Sequence, residues 1–443
     1  MTDRGSARIA ALLRDAGDRW ILGIDGGELR RRIDREAAAL ARSRLRRVFI
    51  VERDPATLLA GLFAALTAEC DVFLGDPQWT AAELARAGSV VECEPPEFDE
   101  SRIMIPTGGS TGTIRFAMHS WRTLAAAAEA LRERFGVDRI DSLCALPLHH
   151  VSGLMQVVRA LVTGGRVAML TPRAFAAGTP PAIDPSGFFL SLVPTQLARA
   201  LRTDENVSWL RRCRAIPLGG APSWPALLSK ARAAAIPLAP CYGTTETAAQ
   251  FVTLLPAEFA AGNDSVGRAL PHARVRIAGG SGVDERAGTI GEVVVAASSL
   301  ASGYYPESFA EEREFPTGDL GRLDASGYLT LLRRRDDAII SGGEKISPGE
   351  VEGAIRATGL VCDVAVLGVP DPEWGSVVVA LYVPNDPATG AAELRARVRE
   401  RLAPFKLPKR WLGMTDLPRN AQGKLNRSRL RELAQLDRAG NRL

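Results

Sequence analysis

The stretch Thr107-Gly108-Gly109-Ser110-Thr111-Gly112-Thr113 follows an apolar, strand-like run at 102–106, and its three glycines and four hydroxyls cannot build a core. Glycine loses more backbone freedom on ordering than any other residue. Such a segment can instead turn several backbone N–H groups towards one point, with Ser and Thr hydroxyls adding donors, which is how a chain wraps an anion. It reads as a phosphate-binding loop, with a flexible linker as the alternative. It is not a P-loop of the NTPase kind, because Gly112 is followed by Thr113 and not by Lys.

Outward from the loop, short apolar runs alternate with Ala- and Leu-rich helical stretches. Strands are expected at 47–51, 71–74, 89–93, 142–148, 166–170, 188–193, 214–218 and 237–241. Helices are expected at 56–68, 80–87, 121–135 and 153–163. That alternation predicts a largely parallel α/β sheet. Near Asn263 the pattern changes to short alternating segments with Gly-rich turns, predicting a small antiparallel β unit over about 265–335. Mixed strand and helix return from Asp336 to the end, as in a compact α+β domain. The expected organisation is a large domain at 1–335 and a small mobile domain at 336–443.

At 443 residues the chain exceeds what one core usually supports. Its 46% hydrophobic and 24% charged composition is that of a globular protein. The net charge of +4 is too mild to argue for nucleic acid, and suits small polyanions. The six cysteines show no C-x-x-C pair, so the expectation is buried free thiols and no zinc site. No apolar stretch is long enough to span a bilayer, and Met1-Thr2-Asp3-Arg4-Gly5 lacks the form of a signal peptide. A cytoplasmic location is expected, with no membrane span; the assembly expected, if any, is a homodimer.

Further polar segments punctuate the chain. Cys241-Tyr242-Gly243-Thr244-Thr245-Glu246-Thr247 joins a glycine turn, three hydroxyls and a carboxylate, expected after a strand and before a helix. A carboxylate beside a phosphate loop suits Mg²⁺; a helix cap with a first-turn Glu is the equal alternative. Thr317-Gly318-Asp319 offers an acid after a glycine turn, which taken singly is an ordinary Asp turn. Arg333-Arg334-Arg335-Asp336-Asp337 is a solvated charge run or a hinge. Ile340-Ser341-Gly342-Gly343-Glu344-Lys345-Ile346 is a second glycine loop, and Gln422-Gly423-Lys424 carries a single lysine on a turn.

The order of these segments resembles the adenylate-forming superfamily of acyl-CoA synthetases, luciferases and peptide-synthetase adenylation domains. Within it the chain is most similar to the o-succinylbenzoate–CoA ligases of menaquinone and phylloquinone synthesis. The carrying residues are Ile105 to Phe116, continuing through Met118-His119-Ser120-Trp121, and Leu146-Pro147-Leu148-His149-His150-Val151-Ser152-Gly153-Leu154. One departure is Arg115 where the family's loop usually ends in Lys, exchanging a point charge for a planar fork.

The resemblance implies a ligase that uses ATP, Mg²⁺ and coenzyme A. Thr107, Gly108, Gly109, Ser110, Thr111, Gly112 and Thr113 would hold the β- and γ-phosphates, aided by Arg115. Glu246 would hold Mg²⁺. Gly219, Gly220, Ala221 and Pro222 would frame the adenine with Tyr242, beside Gly243, Thr244 and Thr245; Asp319 and Arg334 would fix the ribose. Lys424 would bridge acyl carboxylate and α-phosphate. His150 and Gly243 would meet the acyl group, Arg115 or Arg159 a second carboxylate, and His149 is equally a packed histidine. Asp336 would be the hinge, and Gly342, Gly343 and Lys345 the coenzyme A tunnel. Another acyl- or aryl-CoA ligase, an adenylation enzyme loading a carrier protein, and a silent nucleotide-binding protein are the competing readings.

Overall fold

The computed structural model describes residues 5–43, 45–79, 81–93, 101–108, 114–171, 179–279, 282–283, 288–309, 314–334, 339–341, 344–371, 374–402, 404–420 and 424–436. Gly109 to Thr113, Asp336, Gly342 and Gly343 fall outside them, as do the side chains of Arg334 and Lys345.

Two sheets enclose a layer of helices. One sheet runs Arg47–Ile50, Asp71–Leu74 and Arg102–Gly108 in parallel, then turns antiparallel into Ile114–Ser120 and Gly303–Tyr304. The other aligns Ile21–Leu22, Val167–Met169, Ser142–Cys144 and Phe189–Leu190, all parallel. Parallel bridges Phe189↔Ala215 and Leu192↔Leu218 carry it on to Ile216–Leu218 and Leu238–Thr244. Helices Pro55–Thr67, Trp121–Phe135 and Val151–Thr163 fill the space between, where Leu59, Phe63, Leu124, Leu154 and Val157 join Val72, Ile103 and Val167 in one core.

Local sequence explains the helix ends. Asp54 accepts from the Thr57 amide at 2.8 Å with Pro55 in the first turn. Ser120 and Thr123 form a reciprocal capping box, and Gly136, at φ 57°, ends that helix. Each such cap stabilises by about 1 kcal/mol.

A five-stranded antiparallel sheet, Gly282–Val283, Ala273–Gly279, Gly291–Ala297, Phe315–Leu323 and Leu329–Arg334, forms the β unit. Beyond it, the antiparallel pair Val361–Asp371 and Gly375–Pro384, with Arg410–Gly413 added in parallel, packs against helices Pro348–Arg356 and Arg427–Leu436. The α/β class, the β unit and the small α+β unit therefore match expectation.

Several local expectations fail. Residues 89–91 are not strand but the last turn of the helix Ala81–Val91. Val90 and Val91 pack their β-branched side chains against the Phe73 and Met104 cluster, so tertiary packing overrides propensity. The expected strand at 142–148 stops at Cys144. The segment after Tyr242 does not lead into a helix: the strand runs on to Thr244, and a single 3-10 turn, Thr245–Thr247, is followed by the antiparallel strand Ala249–Thr253. Asp319 lies within a strand, next to Gly318 at φ 75°. Of the cysteines, Cys70, Cys144 and Cys213 are buried, but Cys93 and Cys362 are exposed.

Candidate functional site

The strands before and after the glycine-rich segment pair antiparallel. Thr107 pairs with Arg115 and Gly108 with Ile114, so the two residues flanking the loop stand side by side at the end of the antiparallel ladder. The turn Thr245–Thr247 comes up against this end. Thr107 Oγ1 lies 3.5 Å from Glu246 Oε1, and the Tyr304 hydroxyl donates to the same oxygen at 2.6 Å. The Arg115 guanidinium sits 4.2 Å from the Tyr304 ring centre. The structure thus brings Thr107, Arg115 and Glu246 together, and adds Tyr304, which no sequence pattern singled out.

Glu246 is buried, and each carbonyl of its turn is gripped. His119 Nε2 meets Thr245 O at 2.8 Å, the Ala301 amide donates to Glu246 O at 2.8 Å, and Ser299 Oγ donates to Thr247 O at 2.9 Å. His119 is fully buried, and burial pushes its pKa down to about 4, so it is neutral at pH 7. After the turn, Ala248 and Ala249 take φ of 54° and 77°, left-handed values that non-glycine residues rarely adopt. Strain of this kind persists where surrounding bonds over-determine the backbone. Among the described residues Glu246 Oε2 makes no hydrogen bond. One buried carboxylate with an unbonded oxygen, beside Thr107, fits Mg²⁺, which takes one or two protein carboxylates and otherwise phosphate and water oxygens.

A second cluster lies further along the same strand. The Tyr242 hydroxyl donates to Asp319 Oδ2 at 2.6 Å, and Asp319 stands opposite Arg334 in its ladder. Gly243 is dictated by close approach: a Cβ there would lie 1.9 Å from Ala249 O. Gly219 and Gly220 follow the adjacent strand, and a Cβ on Gly219 would meet Cys241 Sγ at 2.9 Å. Lys424 reaches the same place from the C-terminal unit, its Cε 3.7 Å from where a Cβ on Gly220 would stand. Its turn is held by Lys424 N donating to Asn420 Oδ1 at 2.9 Å, and by an ion pair between Arg419 and Asp363. Two elements about two hundred residues apart in sequence therefore meet at one point.

Arg159 lies beneath this strand, fully buried. Its guanidinium donates to Gln250 Oε1 at 2.7 Å and Gln156 Oε1 at 3.4 Å, and no carboxylate among the described residues pairs with it. Gln250 stands opposite Gly243 in the ladder, and Gln156 donates to Ser191 Oγ at 2.9 Å. Burial lowers the Arg159 pKa to about 10. His149 and His150 sit at the start of the helix Val151–Thr163, buried beside Asp76. Burial, and then the charges of His149 and Lys424, hold His150 well below its ordinary value despite Asp76, so it is neutral. A cavity of about 440 Å³ opens at the opposite end of the hairpin, between Arg102, Arg122 and Phe315, with Thr123 and Ala301 in its lining.

Thr107 and Arg115 beside a buried carboxylate, a tyrosine–aspartate pair, and a lysine delivered from a second unit fit a nucleotide-dependent enzyme of two domains. The chain belongs to the AMP-binding enzyme family, whose model matches residues 6–305, and the model of that family's C-terminal domain matches residues 350–424. It is 33% identical over 401 residues to the 2-succinylbenzoate–CoA ligase of Listeria monocytogenes, covering 89% of this chain and 80% of that one. It is 34% identical over 376 residues to the indoleacetate–CoA ligase of Aromatoleum aromaticum, covering 82% and 73%. Among solved structures, the o-succinylbenzoate CoA synthetase of Bacillus subtilis in complex with its acyl-adenylate intermediate superposes with a TM-score of 0.78 at 25% identity, covering 96% of this chain and 97% of that one.

Proposed function

We propose that this chain is an AMP-forming acid–CoA ligase whose acid is o-succinylbenzoate. A substrate carboxylate oxygen attacks the α-phosphorus of ATP, the bond to the β,γ-diphosphate breaks, and pyrophosphate leaves an acyl-adenylate. The coenzyme A thiol then attacks the acyl carbon, the carbon–oxygen bond to AMP breaks, and thioester, AMP and a proton are released. A carboxylate is already a nucleophile at pH 7, so the first step needs placed positive charge more than a base.

In this reading Thr107, the loop after it and Arg115 hold the terminal phosphates. Mg²⁺, held by Glu246, supplies charge neutralisation there. Asp319 and Arg334 take the ribose, Tyr242 and Gly219 to Pro222 the adenine, and Lys424 the oxygens between acyl group and α-phosphate. The approach of Lys424 Cε to within 3.7 Å of where a Cβ on Gly220 would stand supports its part in adenylate formation. For thioester formation Lys424 withdraws by rotation about Asp336, and Gly342, Gly343 and Lys345 take its place along the pantetheine path. The enzyme would work in the cytoplasm on small molecules; no helix among the described residues is long and apolar enough to cross a membrane.

The observation that carries the choice of acid is Arg159. A guanidinium buried against neutral amides is costly unless a ligand supplies the anion. O-succinylbenzoate carries a second carboxylate besides the reacting one, and Arg159 lies below Gly243 where the acyl group would end. The indoleacetate–CoA ligase relative supports a second reading, an aryl monoacid, which leaves Arg159 without a counter-ion. Pyrophosphate release measured with o-succinylbenzoate, indoleacetate, benzoate and a fatty acid separates them: a clear preference for the dicarboxylate is expected, and equal or better turnover of a monoacid overturns it.

A further inference from the structure

Asp76 appears in no motif, yet it follows the strand Asp71–Leu74 directly into the neighbourhood of His149 and His150. His149 Nε2 lies 3.4 Å from Asp76 Oδ1 and His150 Nε2 lies 3.8 Å from Asp76 Oδ2; one ligand atom from each residue falls within 4.8 Å of the others. All three side chains are more than nine-tenths buried, with relative exposures of 6%, 7% and 7%. Among the described residues, His149 Nε2 and both ring nitrogens of His150 have no hydrogen-bond partner. Buried imidazole nitrogens are ordinarily paired, because leaving one unpaired costs about 1–3 kcal/mol. Here they converge on a carboxylate at contact distance without being aligned to bond it.

A dication between them resolves this. Ligand atoms about 2.0–2.1 Å from a tetrahedral zinc stand roughly 3.3 Å from each other; here the two imidazole–carboxylate distances are 3.4 and 3.8 Å and all three ligand atoms lie within 4.8 Å. Two imidazoles and one carboxylate are a ligand set for Zn²⁺ or Co²⁺, with a fourth position open, whereas Mg²⁺ prefers oxygen alone and belongs at Glu246.

We propose that Asp76, His149 and His150 form a second, borderline-metal site, distinct from the Mg²⁺ position and fitted to zinc.

The test is direct binding without ATP or acid, so its failure leaves the ligase reading standing. Full-length protein carrying Cys93→Ser and Cys362→Ser, which removes the exposed competing thiols, is stripped with chelator and titrated with ZnCl₂ against a chromophoric indicator. One ion per chain is expected. Asp76→Asn and His149→Ala should each weaken binding by about tenfold or more. Unaltered protein titrated with CoCl₂ should show the visible bands of four-coordinate cobalt with nitrogen and oxygen ligands, a readout that stands even if a variant does not fold. No stoichiometric binding, binding indifferent to Asp76→Asn, or a thiolate-to-cobalt charge-transfer band would each overturn the proposal.

Discussion

Replacing Arg159 with Met keeps an unbranched stem of similar reach in the core and removes the charge. Burial brings Arg159 from its ordinary 12.5 to about 10. A shift of that size is worth roughly 3 kcal/mol of disfavoured charge in the ligand-free protein. A substrate carboxylate that reaches the guanidinium recovers much of that cost, and breaking a buried, hydrogen-bonded charge pair typically costs about 2–5 kcal/mol. The expected result is a fall of about 10²-fold in kcat/KM for o-succinylbenzoate. Benzoate, which has no second carboxylate, should lose little or gain. Folding should suffer little, because losing the bond to Gln250, about 1 kcal/mol, is set against removal of a buried charge. Continuous pyrophosphate release with both acids, alongside thermal unfolding of the variant, reads all three quantities. Equal losses for the two acids would refute the reasoning, since they would show a general packing defect; unchanged kinetics with o-succinylbenzoate would refute it equally.

Other expectations follow from the same geometry. Lys424→Ala should lower ATP–pyrophosphate exchange by about 10²–10³, the scale of losing one preorganised charge-stabilising donor; intact exchange would remove Lys424 from the first half-reaction. His119 binds fewer protons folded than unfolded between its folded value of about 4 and its ordinary 6.5, so its share of stability is complete above pH 6.5 and is lost as pH falls towards 4. His119→Gln should flatten the melting temperature over that window, and an unchanged slope would show that other groups set it. Gly243→Ala places a methyl group 1.9 Å from Ala249 O. It should destabilise by about 1–3 kcal/mol in urea unfolding, and a neutral result would mean that the strands part freely.

The sequence made the architecture legible where periodicity was strong. Trp121–Phe135 and Asp71–Leu74 fall at their expected bounds because caps, alternation and burial agree there. It misled at 89–91, where two valines suggest strand but complete a helix whose inner face they bury. Thr107, Glu246, Asp319 and Lys424 were legible through the order of their segments and the family that order resembles, since Glu246, Asp319 and Lys424 each have an ordinary reading when taken singly. What surrounds them was hidden. Tyr304 reaches Glu246 from more than fifty residues away, and His119 grips its turn from a strand it shares with ordinary apolar residues. Asp76 meets His149 and His150 only because two sheets bring their loops to one end. Contacts of that range leave no local pattern, so only the folded chain displays them.

The two-step chemistry itself is best tested by rapid quench of the enzyme with MgATP and o-succinylbenzoate, first without and then with coenzyme A. A single turnover of o-succinylbenzoyl-adenylate and pyrophosphate should appear without coenzyme A, and its addition should convert the adenylate to thioester and AMP. Formation of ADP, or the absence of any adenylate before coenzyme A is added, would contradict the mechanism.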